Sequence, residues 1–115
     1  MIVSELNELI NGKLLSKGGA DNNVTCGYVC DLLSWVMAKG CADCAWVTVQ
    51  THMNVIAVAS LHDMACVICP EGIIMEEASV EKADEEGIAI ITSPMPAYKI
   101  AGLLYEKGVL PANAD

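Results

Sequence analysis

Short apolar runs that end at polar turns constrain the fold of this chain more than any other feature. Residues 64–69 and 88–91 are continuously apolar, and each run follows a segment with helical spacing. A strand in a half-exposed sheet alternates apolar and polar residues, whereas a strand covered by helices on both faces is apolar throughout. The alternation of such strands with helical segments therefore predicts an α/β fold with a largely parallel sheet flanked by helices.

Periodicity and turn residues divide the chain into elements. The predicted helices occupy residues 4–11, 31–39, 54–62, 76–86 and 96–107, and the predicted strands occupy residues 13–15, 24–30, 44–49, 64–69 and 88–92. We expect Ser4 and Asp31 to cap their helices and Gly87 to end the helix before it. Met37 and Leu103 are expected to face the core.

Length and composition limit the class of protein. The 115 residues make one domain over residues 1–110 and a tail over residues 111–115, and 54% of the residues are hydrophobic. No apolar run approaches the ~20 residues of a membrane span, and the first residues lack the basic start of a signal peptide. We therefore expect a cytoplasmic protein that does not enter a membrane and that buries its apolar excess in a core or an interface.

Charge limits the partners. The net charge is −9, and all six basic residues are lysines. Nucleic-acid binding needs a basic surface against the phosphates, so we expect no nucleic acid and no anionic membrane as a partner. A small molecule or another protein fits the charge better.

The segment 54–62 is apolar nearly all round, since its polar residues are Asn54, Ser60 and His62. A helix of that kind is buried on more than one side. In so small a domain we expect a second subunit to provide part of the cover. The sequence therefore predicts a homodimer, with an interface formed by Val55, Val58, Ala59 and Leu61.

Polar residues gather directly after two of the predicted strands, where ligands bind in open α/β sheets. The candidate ligand-binding residues are Gln50, Thr51, His52, Asn54, Glu71 and Gly72. A histidine there donates to a phosphate or carboxylate, helped by the N-terminus of the following helix; alternatively, Thr51 caps that helix and His52 is solvated. Since the sequence has no P-loop, no G-x-S-x-G and no G-x-G-x-x-G, we predict no catalytic residues and no cofactor.

Six cysteines allow several interpretations. In an intracellular protein they are expected to be reduced. Cys66 and Cys69 lie three apart in a predicted strand and therefore point to opposite faces, which makes them buried apolar residues and not chelators. Cys41 and Cys44 precede a strand, where they are either ordinary surface thiols or a redox or metal pair. An alternative function is thus a metal or iron–sulfur accessory protein that uses Cys41 and Cys44 with cysteines of a second subunit.

Several segments together carry a resemblance to a known family. They are Ser4-Glu-Leu-Asn-Glu-Leu, Gly27-Tyr-Val-Cys-Asp-Leu-Leu-Ser, Val49-Gln-Thr-His-Met-Asn-Val-Ile-Ala-Val-Ala, Val67-Ile-Cys-Pro-Glu-Gly, Glu85-Glu-Gly-Ile-Ala-Ile-Ile-Thr-Ser and Tyr98-Lys-Ile-Ala. On these segments the chain resembles a stand-alone DRTGG domain, similar to the N-terminal domain of HPr kinase. The resemblance implies an α/β domain that regulates and dimerises, of the kind fused to phosphotransacetylases or, with CBS domains, to pyrophosphatases.

The chain departs from the family at its two signature loops. It has Gln50-Thr51-His52 where Asp-Arg is common, and Cys69-Pro70-Glu71-Gly72 where Thr-Gly-Gly is common. These replacements remove cationic and backbone contacts to an anion. The leading hypothesis is a non-enzymatic regulatory homodimer that acts through a partner protein and takes a small nucleotide-like ligand. A hydrolase or kinase related to HPr kinase fits least, because the kinase chemistry needs a P-loop.

Overall fold

The computed structural model describes residues 1–113, in which strands and helices alternate from the second strand onward. The helices are α1 (Val3–Leu9), α2 (Leu33–Lys39), α3 (Met53–Leu61), α4 (Glu77–Glu86) and α5 (Ala97–Glu106). The strands are β1 (Lys13–Leu14), β2 (Cys26–Val29), β3 (Cys44–Val47), β4 (Cys66–Cys69), β5 (Ala89–Thr92) and β6 (Leu110–Pro111).

All of these strands join one sheet in the order β1-β5-β4-β3-β2-β6. The central strands β2 to β5 run parallel to one another, β6 is parallel to β2, and β1 is antiparallel to β5. The predicted α/β fold with a largely parallel sheet is therefore confirmed.

Helices cover both faces of the sheet, which explains the continuous apolar strands. On one face Trp46, Val67 and Ile90 pack among side chains of α2, α3 and α4. On the other face, which α1 and α5 cover, the strands present alternate residues such as Ile68 and Ile91. Each large apolar side chain that is fully buried in this way contributes about 1.5–3 kcal/mol to folding. Period-two alternation thus divides every strand between two apolar layers.

Two predicted helix caps are wrong. Ser4 lies inside α1, and Ile2 holds the cap position, where its own N–H donates to the Glu5 carboxylate at 2.9 Å. Leu32 holds the cap position of α2 without a side-chain hydrogen bond, because the Asp31 carboxylate turns to the chain after β3. Gly87 ends α4 as predicted, with φ +71°.

Two side chains expected to face the core are more exposed than predicted. Met37 is 50% exposed, because the short helix α2 buries Val36 and turns Met37 outward. Leu103 is half-buried, whereas Ile100 and Leu104 of the same helix are buried.

The segment expected as a tail begins inside the fold. Leu110 and Pro111 pair with Cys26 and Gly27, and the N–H of Ala112 donates to the Gly27 carbonyl at 2.8 Å. Residues 114–115 of the predicted tail lie outside the described residues. Among the helices of residues 1–113, none has the length and apolar character that crossing a membrane requires.

Candidate functional site

The carboxyl ends of β2 and β3 are joined by one acidic side chain. The Asp31 carboxylate accepts hydrogen bonds from the Thr48 hydroxyl and from the Val49 N–H, both at 2.9 Å. The Gln50 side-chain amide donates to the Asp31 carbonyl at 3.0 Å. Gln50 is therefore held against the loop after β2, as part of the edge where the sequence places a ligand.

His52 is the N-cap of α3, and its ring is fixed by that role. Its Nδ1 accepts a hydrogen bond from the Asn54 N–H at 3.1 Å. When Nδ1 of a neutral imidazole is an acceptor, the proton is on Nε2. Since His52 is exposed, this Nε2–H is a donor available at the surface.

Thr51 does not cap α3, so that part of the alternative interpretation is wrong. Its hydroxyl donates to the Glu76 carboxylate at 3.3 Å, and its carbonyl accepts from the Ser79 hydroxyl at 2.9 Å. Both contacts fasten the end of β3 to the start of α4. Thr51 is therefore engaged within the fold, whereas His52 takes the capping role.

Glu71 and Gly72 form a turn after β4 that is tied to the segment after β5, the neighbouring strand. The N–H of Glu71 donates to the Met95 carbonyl at 2.9 Å, and the N–H of Gly72 donates to the Ser93 carbonyl at 2.8 Å. These partners follow β5, not β3. The predicted ligand-binding residues therefore divide into one group around Asp31 and α3 and a second group between β4 and β5.

The charge of this edge is negative. Asp31, Glu71 and Glu76 are its carboxylates, and none of the six lysines falls within the loops that follow β2, β3 and β4. An unneutralised phosphate would be repelled by these carboxylates. The available donors suit neutral amide, hydroxyl or ring-nitrogen groups better.

The order of the strands bears on whether a crevice opens at this edge. Ligand crevices in open α/β sheets form where the strand order reverses and helices leave on opposite faces. From β2 to β5 the order is uninterrupted, and α2, α3 and α4 pack on the same face. The crossovers therefore do not open a crevice between β3 and β4.

Two cavities of about 250 Å³ each lie elsewhere. One is apolar and lies between α5 and the β2–β6 edge, with Tyr105, Val29 and Leu110 in its lining. The other is polar and lies at the amino end of β4, with Asp43, Asp63 and Glu86 in its lining. Sequence reasoning missed both cavities, since each is lined by segments that are distant in the chain.

The interface residues predicted on α3 need a correction. Val55, Val58 and Ala59 are buried within the chain itself, under 5% exposed, because α3 packs on the sheet with α2 on one side of it and α4 on the other. Leu61 is 64% exposed. Of the predicted set, Leu61 is therefore the residue that a second subunit can reach.

Three cysteines converge at the opposite, amino end of the sheet. Cys26 of β2 and Cys44 of β3 are register partners, and Cys41 lies in the turn before β3. The three Sγ atoms lie within 4.8 Å of one another, and those of Cys26 and Cys41 are 3.0 Å apart. Burial and the neighbouring Cys41 thiol raise the pKa of Cys26 to about 11, and burial also raises the pKa of Cys44. All three thiols belong to one chain, and sequence spacing did not connect Cys26 with the other two.

Cys66 and Cys69 are buried on opposite faces of β4, as predicted. His62, at the end of α3, makes a structural contact between its Nε2 and the Met37 carbonyl at 2.8 Å.

No family model and no curated protein matches the chain. Among solved structures, a similar one is the crystal structure of the CBS and DRTGG domains of the regulatory region of Clostridium perfringens pyrophosphatase, complexed with the activator diadenosine tetraphosphate. The TM-score is 0.70 at 12% sequence identity, over 96% of this chain and 47% of that one. The chain therefore spans about half the length of that structure, and the likeness supports the DRTGG-like fold.

Proposed function

We propose that this protein is a non-enzymatic regulatory module that binds a small nucleotide-like ligand and acts, as a homodimer, through a partner protein. The observation that carries the proposal is the fold, which is similar over almost the whole chain to a regulatory region that binds an activator. A regulatory domain needs a binding surface and a way to transmit occupancy, and it does not need a nucleophile or a general base.

The ligand site that we propose is the carboxyl edge around Gln50, His52 and Asn54. The His52 Nε2–H and the Asn54 side chain are exposed there, and Gln50 is positioned by its bond to Asp31. We include as the border of this site Thr51, which is held against α4, and Glu71 and Gly72, in the separate turn between β4 and β5, because β3 and β4 are paired neighbours.

The chemistry of the edge favours the nucleoside part of such a ligand. Val49 is 45% exposed and Leu32 is 60% exposed, and both adjoin Asp31, so that they offer an apolar surface to a base. Small-molecule sites combine such apolar surface with a few polar groups that fix orientation. Because the carboxylates of Asp31 and Glu76 repel phosphates, we expect the phosphates of the ligand to point toward solvent.

A thermal-shift and calorimetric comparison of adenosine, ATP and diadenosine tetraphosphate tests this site. A ligand at a hundred times its Kd stabilises the folded state by about 2.7 kcal/mol, which in a domain of this size raises Tm by roughly ten degrees. We expect adenosine to bind at least as well as ATP. If none of the three compounds raised Tm or gave a heat of binding, the proposal of a nucleotide-like ligand would be wrong.

Two substitutions locate the site. His52→Asn keeps a side chain that caps α3 but removes the Nε2 donor, so it is expected to weaken binding without unfolding the protein. Tyr98→Ala, on the 93% exposed side chain at the start of α5, is the control and is expected to bind normally. Equal binding by wild type and His52→Asn would place the ligand elsewhere.

For the homodimer we propose the outer stripe of α3. Met53, Ala57 and Leu61 are exposed and lie four residues apart, which aligns them on one face of the helix. Light scattering is expected to give a dimeric mass for wild type and a monomeric mass for Leu61→Glu. Tyr105→Glu is the control, because it places the same charge on the opposite face of the sheet at a side chain that is 66% exposed. A monomeric wild type would refute the dimer.

A further inference from the structure

We propose that Cys26, Cys41 and Cys44 form a binding site for one thiophilic metal ion, Zn²⁺ or Cu⁺, held by three thiolates of the same chain. The site lies at the amino ends of β2 and β3, whereas the proposed ligand edge lies at their carboxyl ends. The proposal of a metal site therefore does not depend on whether the nucleotide-like ligand binds.

The geometry comes from two strands and one turn. Parallel pairing sets Cys26 opposite Cys44, and the turn before β3 brings Cys41 to them. Around an ion with metal–sulfur bonds of about 2.3 Å, thiolate sulfurs lie about 3.8 Å apart. The observed Sγ separations run from 3.0 Å for Cys26 and Cys41 to at most 4.8 Å, so they bracket that value. Changes of about 1 Å or less in these separations reach that value.

The donor set determines which ions fit. Within residues 1–113, the ligand atoms that converge here are three sulfurs, with no imidazole or carboxylate among them. Thiolates select Zn²⁺ and Cu⁺, whereas Mg²⁺ and Ca²⁺ require oxygen ligands. An iron–sulfur cluster normally takes four thiolates spread over different iron atoms, so three sulfurs around one point favour a single ion.

One coordination position remains open in such a site. Cys26 and Cys44 are buried, while Cys41 is half-buried and gives the site its side toward solvent. Three protein ligands with an open position are typical of zinc sites that exchange a ligand, in contrast to closed structural sites with four. When the ion binds, each of the three thiols releases its proton to solvent and forms one metal–sulfur bond, so that no oxidant or reductant is needed.

The test uses the full-length protein, reduced and stripped of metal under anaerobic conditions. Titration with Co²⁺ is expected to produce thiolate-to-cobalt charge-transfer absorption that saturates at one equivalent. Zn²⁺ is then expected to displace the cobalt, and a parallel titration with Cu⁺ against a chelator shows which of the two ions is held more tightly. Binding of either ion supports the site, and failure to bind both refutes it.

Matched cysteine variants locate the ion. Cys41→Ser removes the half-buried ligand and is expected to abolish the cobalt absorption while circular dichroism stays unchanged. Cys30→Ser is the control, because Cys30 is also half-buried but lies outside the cluster. Metal uptake that survives in Cys41→Ser, or that is lost in Cys30→Ser, would overturn the assignment. So would a Cys26–Cys41 disulfide in a protein that takes up no metal after reduction.

Discussion

The carboxylate of Asp31 accepts a hydrogen bond from the hydroxyl of Thr48 at 2.9 Å, across the ends of two neighbouring parallel strands. Thr48 is buried, at 1% exposed, and its hydroxyl donates to the carboxylate of a residue at the surface. A buried donor that loses its acceptor costs more than the bond itself contributes. The loop after β2 is thus fastened to β3 at the point where the proposed ligand edge begins.

Asp31→Ala is expected to lower the free energy of unfolding by about 1–2 kcal/mol, because it leaves the Thr48 hydroxyl buried without its acceptor. Thr48→Val removes that hydroxyl, so the double variant is expected to lose less than the sum of the single losses. Urea unfolding of the four proteins measures the coupling. Strict additivity would show that the two residues act separately.

The cap of α3 leads to a second prediction. His52→Ala removes the acceptor of the Asn54 N–H and is expected to destabilise the protein by about 1 kcal/mol. His52→Asn, which retains a capping side chain, is expected to remain within a few tenths of a kcal/mol of wild type. Urea midpoints of the three proteins check this. If both variants lost the same stability, the imidazole would contribute something other than the cap.

Most of the fold follows from patterns that are local in the sequence. Continuous apolar strands such as residues 64–69 require cover on both faces, and the structure provides it. Gly87 ends α4 because a left-handed residue follows the helix and glycine takes that conformation freely. Strand β6 was not predictable, since two residues carry no periodicity and its pairing with β2 depends on how α5 returns the chain.

The sites were less predictable, because they depend on contacts across the fold. Aspartate is a residue type that favours the helix cap position. The Asp31 carboxylate instead accepts hydrogen bonds from the Thr48 hydroxyl and the Val49 N–H. Cys26 and Cys41 are fifteen residues apart, and their meeting depends on the register between β2 and β3. Neither the contacts of Asp31 nor the meeting of the two cysteines can be inferred from the spacing of residues in the sequence.

A hydrogen bond between helices α3 and α4 predicts a shifted titration. The Ser60 hydroxyl donates to the Glu86 carboxylate at 3.1 Å, and Lys82 lies 3.3 Å from the other oxygen. These contacts, first Ser60 and then Lys82, lower the pKa of Glu86. We expect Ser60→Ala to move the titration midpoint of Glu86 upward toward the ordinary glutamate value, as followed by NMR. An unchanged midpoint would mean that the hydroxyl does not hold the carboxylate in solution.

The lowered pKa also sets a direction for stability. A carboxyl whose pKa is depressed on folding stabilises the protein above its unfolded value, and that contribution is lost as the pH falls through the folded value. The stability difference between wild type and Ser60→Ala is therefore expected to be present at neutral pH and to shrink below about pH 4. Urea unfolding across the acid range checks this, and a difference that grew with acid would have the wrong sign.

Buried thiols predict the opposite trend at alkaline pH. Burial raises the pKa of Cys69 to about 11, so this thiol stays protonated in the folded chain while the unfolded chain ionises near pH 8.5. The unfolded state then binds fewer protons, and the stability attributable to this thiol falls as the pH rises from about 8.5 to 11, by up to about 1.4 kcal/mol per pH unit. Cys69→Ala lacks the group, so its stability is expected to decline less steeply than that of wild type. Anaerobic urea unfolding between pH 7.5 and 10.5, with reductant present, compares the two slopes. Parallel slopes would mean that Cys69 ionises as readily in the folded protein as in the unfolded chain.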